Sequence, residues 1–274
     1  MISFDVPTKS IEYQTIPRMH KPIPRLDPDQ ALVPMIGLAA EYEELSSKRH
    51  SHQRGQLYYC IAGTIKVNVE SGVWLVAPQR AVWIPGNHVH QSNSPQAVSL
   101  RMLYIDSEAY SGLPEQVTLI QVSSFLRELI EAAIDQGENW PNNSPQSRLS
   151  SVVVDRIIAS PHEPLHLPLP RDLRALAVCK YFQQNPSLHV EVEWVCHKFG
   201  MSQRTLLRVL QQEIMMNLQQ WRQQLLLLTS IEMMANGLSV SAIAMDLGYS
   251  TPSAFSYMFR QALGISPSEY YDKG

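Results

Sequence analysis

The alternation of apolar and polar positions changes period once along the chain. From about Leu32 to Asp106, Ile65, Val67 and Val69 alternate with Lys66, Asn68 and Glu70, and Val98, Leu100, Met102 and Tyr104 repeat the pattern. This is the period-two signature of strands with one buried face. Gly55, Gly63, Gly72, Pro78, Pro85 and Pro95 punctuate the runs, so many short strands joined by turns predict a small barrel or jelly roll. The period then becomes helical. Leu126, Leu129, Ile130, Ala133 and Ile134 predict a helix over 123–135 with Ser123 or Ser124 as its cap, and a second helix is predicted over 147–159. Pro161, Pro164, Pro168 and Pro170 cannot sit together inside a helix and predict an extended linker. From Arg171 onward everything reads as helix, beginning with a stripe of Leu173, Leu176, Ala177 and Tyr181 that Asn185-Pro186 stops.

Within this last region a unit occurs twice. "HKFGMSQRTLLRVL" (197–210) and "MDLGYSTPSAFSYMF" (245–259) each place Gly two residues before Ser, with both residues 48 apart between the copies. A short amphipathic helix precedes each glycine, over Val190–Phe199 and Val240–Leu247. Gly permits the positive φ of a tight turn, and Ser202 and Ser250 can each cap the helix that follows. Helix, glycine turn and capped helix make a helix-turn-helix unit. In the first capped helix Leu206, Val209 and Leu210 point inward, leaving Gln203, Arg204, Leu207, Arg208 and Gln211 outside. In the second, Phe255, Phe259, Ala262 and Leu263 form the core, leaving Thr251, Ser253, Ser256, Tyr257 and Arg260 outside. Arg and Gln reach base edges bidentately, and hydroxyls hold bases or phosphates. A merely solvated face is the alternative for either helix alone; duplication argues against it. The stretch Asn217–Ala235 joins the two units as one helix with Leu218, Trp221, Leu225 and Leu228 on a stripe. Some 20 residues span roughly 30 Å, close to the roughly 34–36 Å of one turn of B-DNA.

Composition adjusts this picture modestly. The chain has 274 residues, 45% hydrophobic and 17% charged, with a net charge of −3. That suits two ordinary domains and argues against disorder. Residues 171–274 carry nine Lys and Arg against eight Asp and Glu, a net of +1, while the preceding part is net −4. The sign favours a DNA-binding C-terminal half, but weakly. Cys60, Cys179 and Cys196 have no paired spacing, and no secretion signal or membrane span is evident. We expect a cytoplasmic protein with unpaired, buried thiols and no membrane partner.

"GMSQRTLLRVL", "WRQQL" and "LSVSAIAMDLGYSTPSAFSYMFRQALGISPSEY" resemble the C-terminal DNA-binding domain of the AraC/XylS family of transcriptional regulators over roughly Arg171 to Tyr271. The resemblance implies two helix-turn-helix units, double-stranded promoter DNA as partner, contacts from Arg204, Leu207 and Arg208 in the first unit, and contacts from the exposed face between Thr251 and Arg260 in the second. A homodimer and contact with RNA polymerase are further expected partners. This chain departs from the family pattern at Leu226-Leu227, at Met215 (usually Gly) and at Tyr257 (usually Arg), which implies weaker or more dimer-dependent DNA binding.

"HSHQRGQLYYC" (50–60) sets two histidines one residue apart ahead of a carboxamide. Side chains two apart on an extended segment face the same way, and imidazoles suit Zn, Ni, Fe or Cu. The stretches "HSHQRGQLYYCIAGTIKV" and "GVWLVAPQRAVWIPGNHVHQ" resemble the cupin-type sensor domain of many such regulators. The resemblance places His50, His52, Gln56 and His90 at metal-ligand positions, with Gln56 where an enzyme has Glu and Asn87 where Gly is usual. His88 and Arg54 complete the expected effector pocket, and Tyr58, Tyr59, Trp74 and Trp83 are read as core or pocket wall. A divalent transition metal, a metal-free pocket for a small-molecule effector, and a purely structural histidine cluster all remain open. His162 and His166 are read as solvated, and His189 and His197 as structural or near phosphate.

The expected fold is thus α+β: a cupin-like β-barrel followed by helices, then an all-α domain with two helix-turn-helix units. The expected organisation is 1–112 effector-sensing, 113–160 helical connector and possible dimerisation region, 161–170 linker, and 171–274 DNA-binding. The competing readings are a cupin metalloenzyme (dioxygenase or isomerase) with a helical appendage, and a non-DNA interaction module.

Overall fold

The computed structural model describes residues 27–137, 139–163 and 165–272. Residues 1–26 of the expected sensor region, Pro164 of the expected linker and residues 273–274 lie outside them. The chain divides into two compact units, the first ending at Pro164 and the second holding Leu165–Gly274 together with Glu70–Val73.

In the first unit, which takes β5 from its third residue on, the strands are β1 (Met35–Tyr42), β2 (Leu45–Ser46), β3 (Gly55–Ala62), β4 (Ile65–Val69), β5 (Gly72–Val76), β6 (Arg80–Ile84), β7 (His90–Ser94), β8 (Val98–Ile105), β9 (Thr118–Gln121) and β10 (His162–Glu163), with helices α1 (Ser124–Asp135) and α2 (Pro145–Ala159) between the last two. One antiparallel sheet runs β1-β8-β3-β6-β9-β10; in the other, β4 lies between β5 and β7, and β2 edges β7. Period two does its work here. The register sets Gln56 opposite both Tyr104 and Ile84, and Val69 opposite His90. Tyr58, Tyr59, Trp74 and Trp83 are all buried. Ser123 caps α1 and Ser144 caps α2 through their side chains. The first of these helices lies on the outer face of its own barrel. Its Leu126, Ile130 and Ala133 are buried, Arg101 of β8 holds Glu131 at 2.8 Å, and a Cβ on Gly37 of β1 would lie 2.6 Å from the Ile134 side chain.

In the second unit, β11 (His166–Pro168) precedes seven helices: α3 (Leu173–Gln184), α4 (Val192–Lys198), α5 (Gln203–Ile214), α6 (Leu218–Ala235), α7 (Val240–Asp246), α8 (Pro252–Leu263) and α9 (Pro267–Asp272). The segment expected as plain extended linker therefore contains two short strands, and β11 packs against α6: Trp221 Nε1 donates to the Pro168 carbonyl at 2.7 Å. His166, expected to be solvated, is half-buried, and burial lowers its pKa. The stripe expected for α3 is out of phase. Ala175, Val178, Cys179 and Phe182 are the buried positions, while Leu173 is 81% exposed. Phe182 and Cys179 win because the first meets Trp221 across the core at 6.4 Å and the second is a compact apolar thiol, pushed far up in pKa by burial. All three cysteines are free and buried.

The two helix-turn-helix units match with a refinement. Gly200 and Gly248 both have positive φ, 66° and 82°, and are 48 apart. The capped helices are 49 apart. Ser202 caps α5, but the cap of α8 is Thr251, not Ser250: its hydroxyl accepts from Ala254 N, and Pro252 takes the first helical position. A proline there forces the residue before it into extended backbone, the conformation an N-cap needs. With the offset of 49, Leu206, Val209 and Leu210 correspond to Phe255, Met258 and Phe259, all buried. Ala262, expected in the core, is exposed and Leu263 only half-buried, because the last turn of α8 passes its packing partner and α9 takes over, with Tyr270 edge-on to Phe259.

The same offset pairs the helix ends, Met215 with Gly264, and both are left-handed, at φ 56° and 76°. Glycine holds this conformation without penalty, whereas a side chain costs about 1–2 kcal/mol. Met215 is 76% exposed and so recovers little by packing. Met215→Gly is expected to raise stability by about 1 kcal/mol after glycine's greater unfolded-state entropy is subtracted, seen as a higher urea midpoint at unchanged slope. An unchanged or lower midpoint contradicts the strain at this cap.

Candidate sensor site and nucleic-acid interface

The strand β3 starts at Gly55, and the segment before it is clamped onto the start of β7. His50 and His90 exchange both backbone bonds, at 3.0 and 2.8 Å, and Asn87 N donates to the His52 carbonyl at 2.7 Å. Gly86 makes the clamp possible, since a Cβ there would lie 1.9 Å from the Gln53 carbonyl oxygen. Asn87 sits at φ 63°, a left-handed position that Asn tolerates better than most residues, which accounts for Asn where cupins usually have Gly.

This clamp converges His50, His52 and His90, whose candidate ligand atoms all lie within 4.8 Å of one another. All three rings are oriented by one device. Nδ1 of His50 donates to the Lys48 carbonyl (2.8 Å), Nδ1 of His90 to the His88 carbonyl (2.8 Å), and Nδ1 of His52 to the Arg54 carbonyl. With the proton on Nδ1, each Nε2 presents a lone pair. Gln56, fully buried, sets Oε1 3.0 Å from His52 Nε2 and 3.2 Å from His90 Nε2. These are acceptor-to-acceptor contacts. His50 Nε2 and Gln56 Nε2 are buried without a partner. Burial, then the neighbouring His50, pushes His90 down to about 3, and burial likewise lowers His50, so both are neutral at physiological pH.

Four acceptors around one point fit a cation. Tetrahedral ligands with bonds of about 2.1 Å stand about 3.4 Å apart, and the two Oε1 contacts are already that close. Turning the Gln56 amide over would let its NH2 donate to His52 and His90, but would leave His50 Nε2 unsatisfied.

The expected pocket set divides in two. Arg54 and His88 do not join the four converging side chains. The Arg54 guanidinium is committed to backbone, donating Nη1 to Val33 and Nη2 to Ala31, both at 2.8 Å. His88 Nδ1 donates to the Gly86 carbonyl at 3.2 Å. Both line a separate cavity of about 910 Å³, bounded by Asp29, Asp106, Glu108 and Tyr110, that His50, His52, Gln56 and His90 do not line. The Gln53-Arg54 turn before β3 redirects the chain, so same-face logic from His52 does not extend to Arg54. Periodicity gave no signal for this cavity, because its far wall is the irregular segment after β8.

In the second unit, Gln203, Arg204, Leu207, Arg208 and Gln211 of α5 are exposed. At the 49-residue offset they correspond to Pro252, Ser253, Ser256, Tyr257 and Arg260 of α8; Ser256 is half-buried and the others exposed. Arg208 Nη1 lies 3.4 Å from Gln212 Oε1, and Arg260 lies 3.8 Å from Glu269. Thr251 is exposed, with its hydroxyl engaged as the α8 cap. The α6 spacer has 18 residues, starts with an Asn217–Gln220 capping box, and spans about 27 Å.

Two domain models match the chain: an AraC-like ligand binding domain over residues 32–164 and a helix-turn-helix domain over 195–273. The HTH-type transcriptional regulator NimR of Escherichia coli K12 is 32% identical over 233 residues, 83% of each chain. The HTH-type transcriptional regulator RipA of Corynebacterium glutamicum is 27% identical over 103 residues, 38% of this chain and 31% of that one. Among solved structures, ToxT of Vibrio cholerae aligns over 87% of this chain and 98% of its own at 12% identity, with a TM-score of 0.37.

Proposed function

Since the chain belongs to the AraC family of helix-turn-helix transcriptional regulators, we propose that α5 and α8 read DNA in successive major grooves and that the His50, His52, Gln56 and His90 cluster receives the signal. The observation that carries the first half is the offset of 49. It superposes cap on cap, core on core and left-handed end on left-handed end, and leaves Arg204, Leu207 and Arg208 matched to Ser253, Ser256 and Tyr257 on the outward side. Once caps and cores share this register the outward positions share it too, so the chain presents two equivalent helix faces, as a repeated recognition unit requires.

For the receiver, the Nε2 atoms of the three histidines and Oε1 of Gln56 would hold a divalent transition metal, which supplies a Lewis-acidic anchor for an effector group. The support is the convergence of four acceptors with no donor between them. Phe125, Val152 and Ile158 are 56%, 39% and 37% exposed on α1 and α2, apolar positions that a second copy of the chain would cover in a homodimer on a paired site, where RNA polymerase is a further partner. The metalloenzyme alternative has no support: the relative that spans most of the chain is a transcriptional regulator.

The test is selection of duplexes from a randomised pool by the full-length chain, then affinity against salt for the selected and a scrambled duplex, with metal-stripped and Ni- or Zn-loaded protein. The expected result is a Kd of about 10⁻⁸ M or tighter for the selected duplex, at least about a thousandfold below the scrambled one, with metal changing that Kd. Equal affinity for both duplexes overturns the DNA assignment; a metal-independent Kd overturns the metal at the receiver.

A further inference from the structure

The two helix-turn-helix units share the α6 spacer, and a left-handed residue flanks that helix on each side, Met215 at φ 56° and Gly237 at φ 80°. A helix hung between two such turns sets a separation. By itself it does not set the rotation of one unit against the other. Packing along α5 does not supply it either, because Leu207 shares an open cleft of about 520 Å³ with Tyr249 and Met258 of the second unit.

Residues 187–189, between α3 and α4, supply the missing constraint. Leu188 N donates to the Leu247 carbonyl at 3.0 Å. Leu247 is the C-cap of α7, where carbonyls lack a helical partner, so the entry to the first unit closes a helix end in the second. Arg222, the fifth residue of α6, grips the same segment. Its Nη2 donates to the Ser187 and Leu188 carbonyls at 2.7 and 3.3 Å, and its guanidinium lies over the Phe182 ring of α3, 4.9 Å from the centroid. Such charge-assisted bonds are stronger than neutral ones. The turn of the second unit makes room for the segment: a Cβ on Gly248 would lie 2.9 Å from both His189 Cδ2 and Ser187 Oγ. At Gly200, its counterpart in the first unit, a Cβ would meet nothing within 4 Å. Both copies use the glycine for its positive φ; only the second also uses it for space.

We infer that residues 187–189, gripped by Arg222 and seated on the Leu247–Gly248 turn, brace the two helix-turn-helix units into one rigid reader that accepts an operator at a single spacing of its two major-groove contacts. Arg222 is a positioning residue, acting through the segment it holds. One inserted base pair moves one contact about 3.4 Å along the duplex and about 35° around it. A hinged pair of units follows that shift, whereas a braced pair gives up the contacts of one unit. The spacing rests on the DNA reading of α5 and α8; the brace itself does not.

Two measurements on the full-length chain test this. Spin labels at Gln212→Cys and Gln261→Cys, exposed and equivalent positions of α5 and α8, report the distance between the helices by double electron–electron resonance. Labelled chain is diluted in unlabelled chain so that a second copy contributes nothing, and the native thiols are buried, which confines labelling to the new pair. The otherwise wild-type chain is expected to show one narrow distance. Arg222→Met keeps an aliphatic stem over Phe182 but removes the donors, and is expected to broaden the distribution. Leu188→Pro deletes the amide donor at an exposed loop position and is expected to do the same. Gly200→Ala strains a turn outside the brace, so it is expected to lower Tm and leave the distance narrow. In the second measurement, one base pair inserted between the two contacts of the selected duplex is expected to weaken wild-type binding about tenfold or more, and Arg222→Met less than about threefold. A broad wild-type distribution, or a narrow one in both brace variants, overturns the brace. An unchanged insertion penalty in variants whose distance has broadened overturns its part in spacing. A wild-type chain that selects no duplex overturns the DNA reading, and the distance measurement alone then decides the brace.

Discussion

Arg204→Ala is expected to weaken binding to the selected duplex by about 5- to 150-fold, the loss of one bidentate base contact at about 1–3 kcal/mol, and to relax specificity at one position of the site. Arg204 is the second residue of α5, and the first turn of a recognition helix is the part that meets base edges. Arg208 lies one turn further along, exposed and loosely held by Gln212, where a phosphate contact is expected. Arg208→Ala should therefore weaken selected and scrambled duplexes alike and flatten the slope of log K against log salt by about 0.9. The double variant combines both effects. Full sequence-specific binding by that variant removes α5 from the interface, whatever α8 does.

The second unit is chemically leaner. Where α5 has Arg204 and Arg208, α8 has Ser253 and Tyr257, and its one cation, Arg260, faces Glu269 at 3.8 Å. An exposed pair of this kind contributes little to stability, but it does lower the positive potential offered to a phosphate. Thus α5 presents two outward arginines and α8 one, which faces a carboxylate, and α5 is expected to dominate affinity.

The barrel and the capped helices were legible because their signals are local. Alternation sets a strand face, and Ser202 or Ser144 sets a helix start. Where the sequence misled, the deciding contact was distant. On α3 two apolar stripes compete, and only the position of Trp221, some forty residues downstream, selects Val178 and Phe182 over Leu173 and Tyr181. A single extra residue between Gly248 and Thr251 hid the 49-residue register, because the flanking glycines and serines align so well at 48. At the sensor site, His50, His52, Gln56 and His90 could be collected by motif. The exclusion of Arg54 could not, since it depends on the 31–33 segment returning to offer its carbonyls to the guanidinium.

Gln56 is the position where the sensor site can be made to report its occupant. Gln56→Glu puts a fully buried carboxylate beside three histidine lone pairs. Without a cation this costs about several kcal/mol, so the metal-stripped variant is expected to melt well below the metal-stripped wild type. A divalent metal reverses the balance. The carboxylate adds a formal charge to an otherwise neutral ligand set and should tighten binding of Ni or Zn by about tenfold or more. Because metal stabilises by RT ln(1 + [M]/Kd), saturating metal is expected to raise the Tm of the variant more than that of the wild type, closing or inverting the gap between them. The comparison separates the two arrangements of the centre. If metal moves neither Tm, the amide is turned over, its NH2 donates to His52 and His90, and His50 Nε2 is left as the acceptor that an effector must satisfy. If metal moves both, and the variant further, the acceptors that converge here do so around a cation, and the glutamine serves to hold that cation more loosely than a glutamate would.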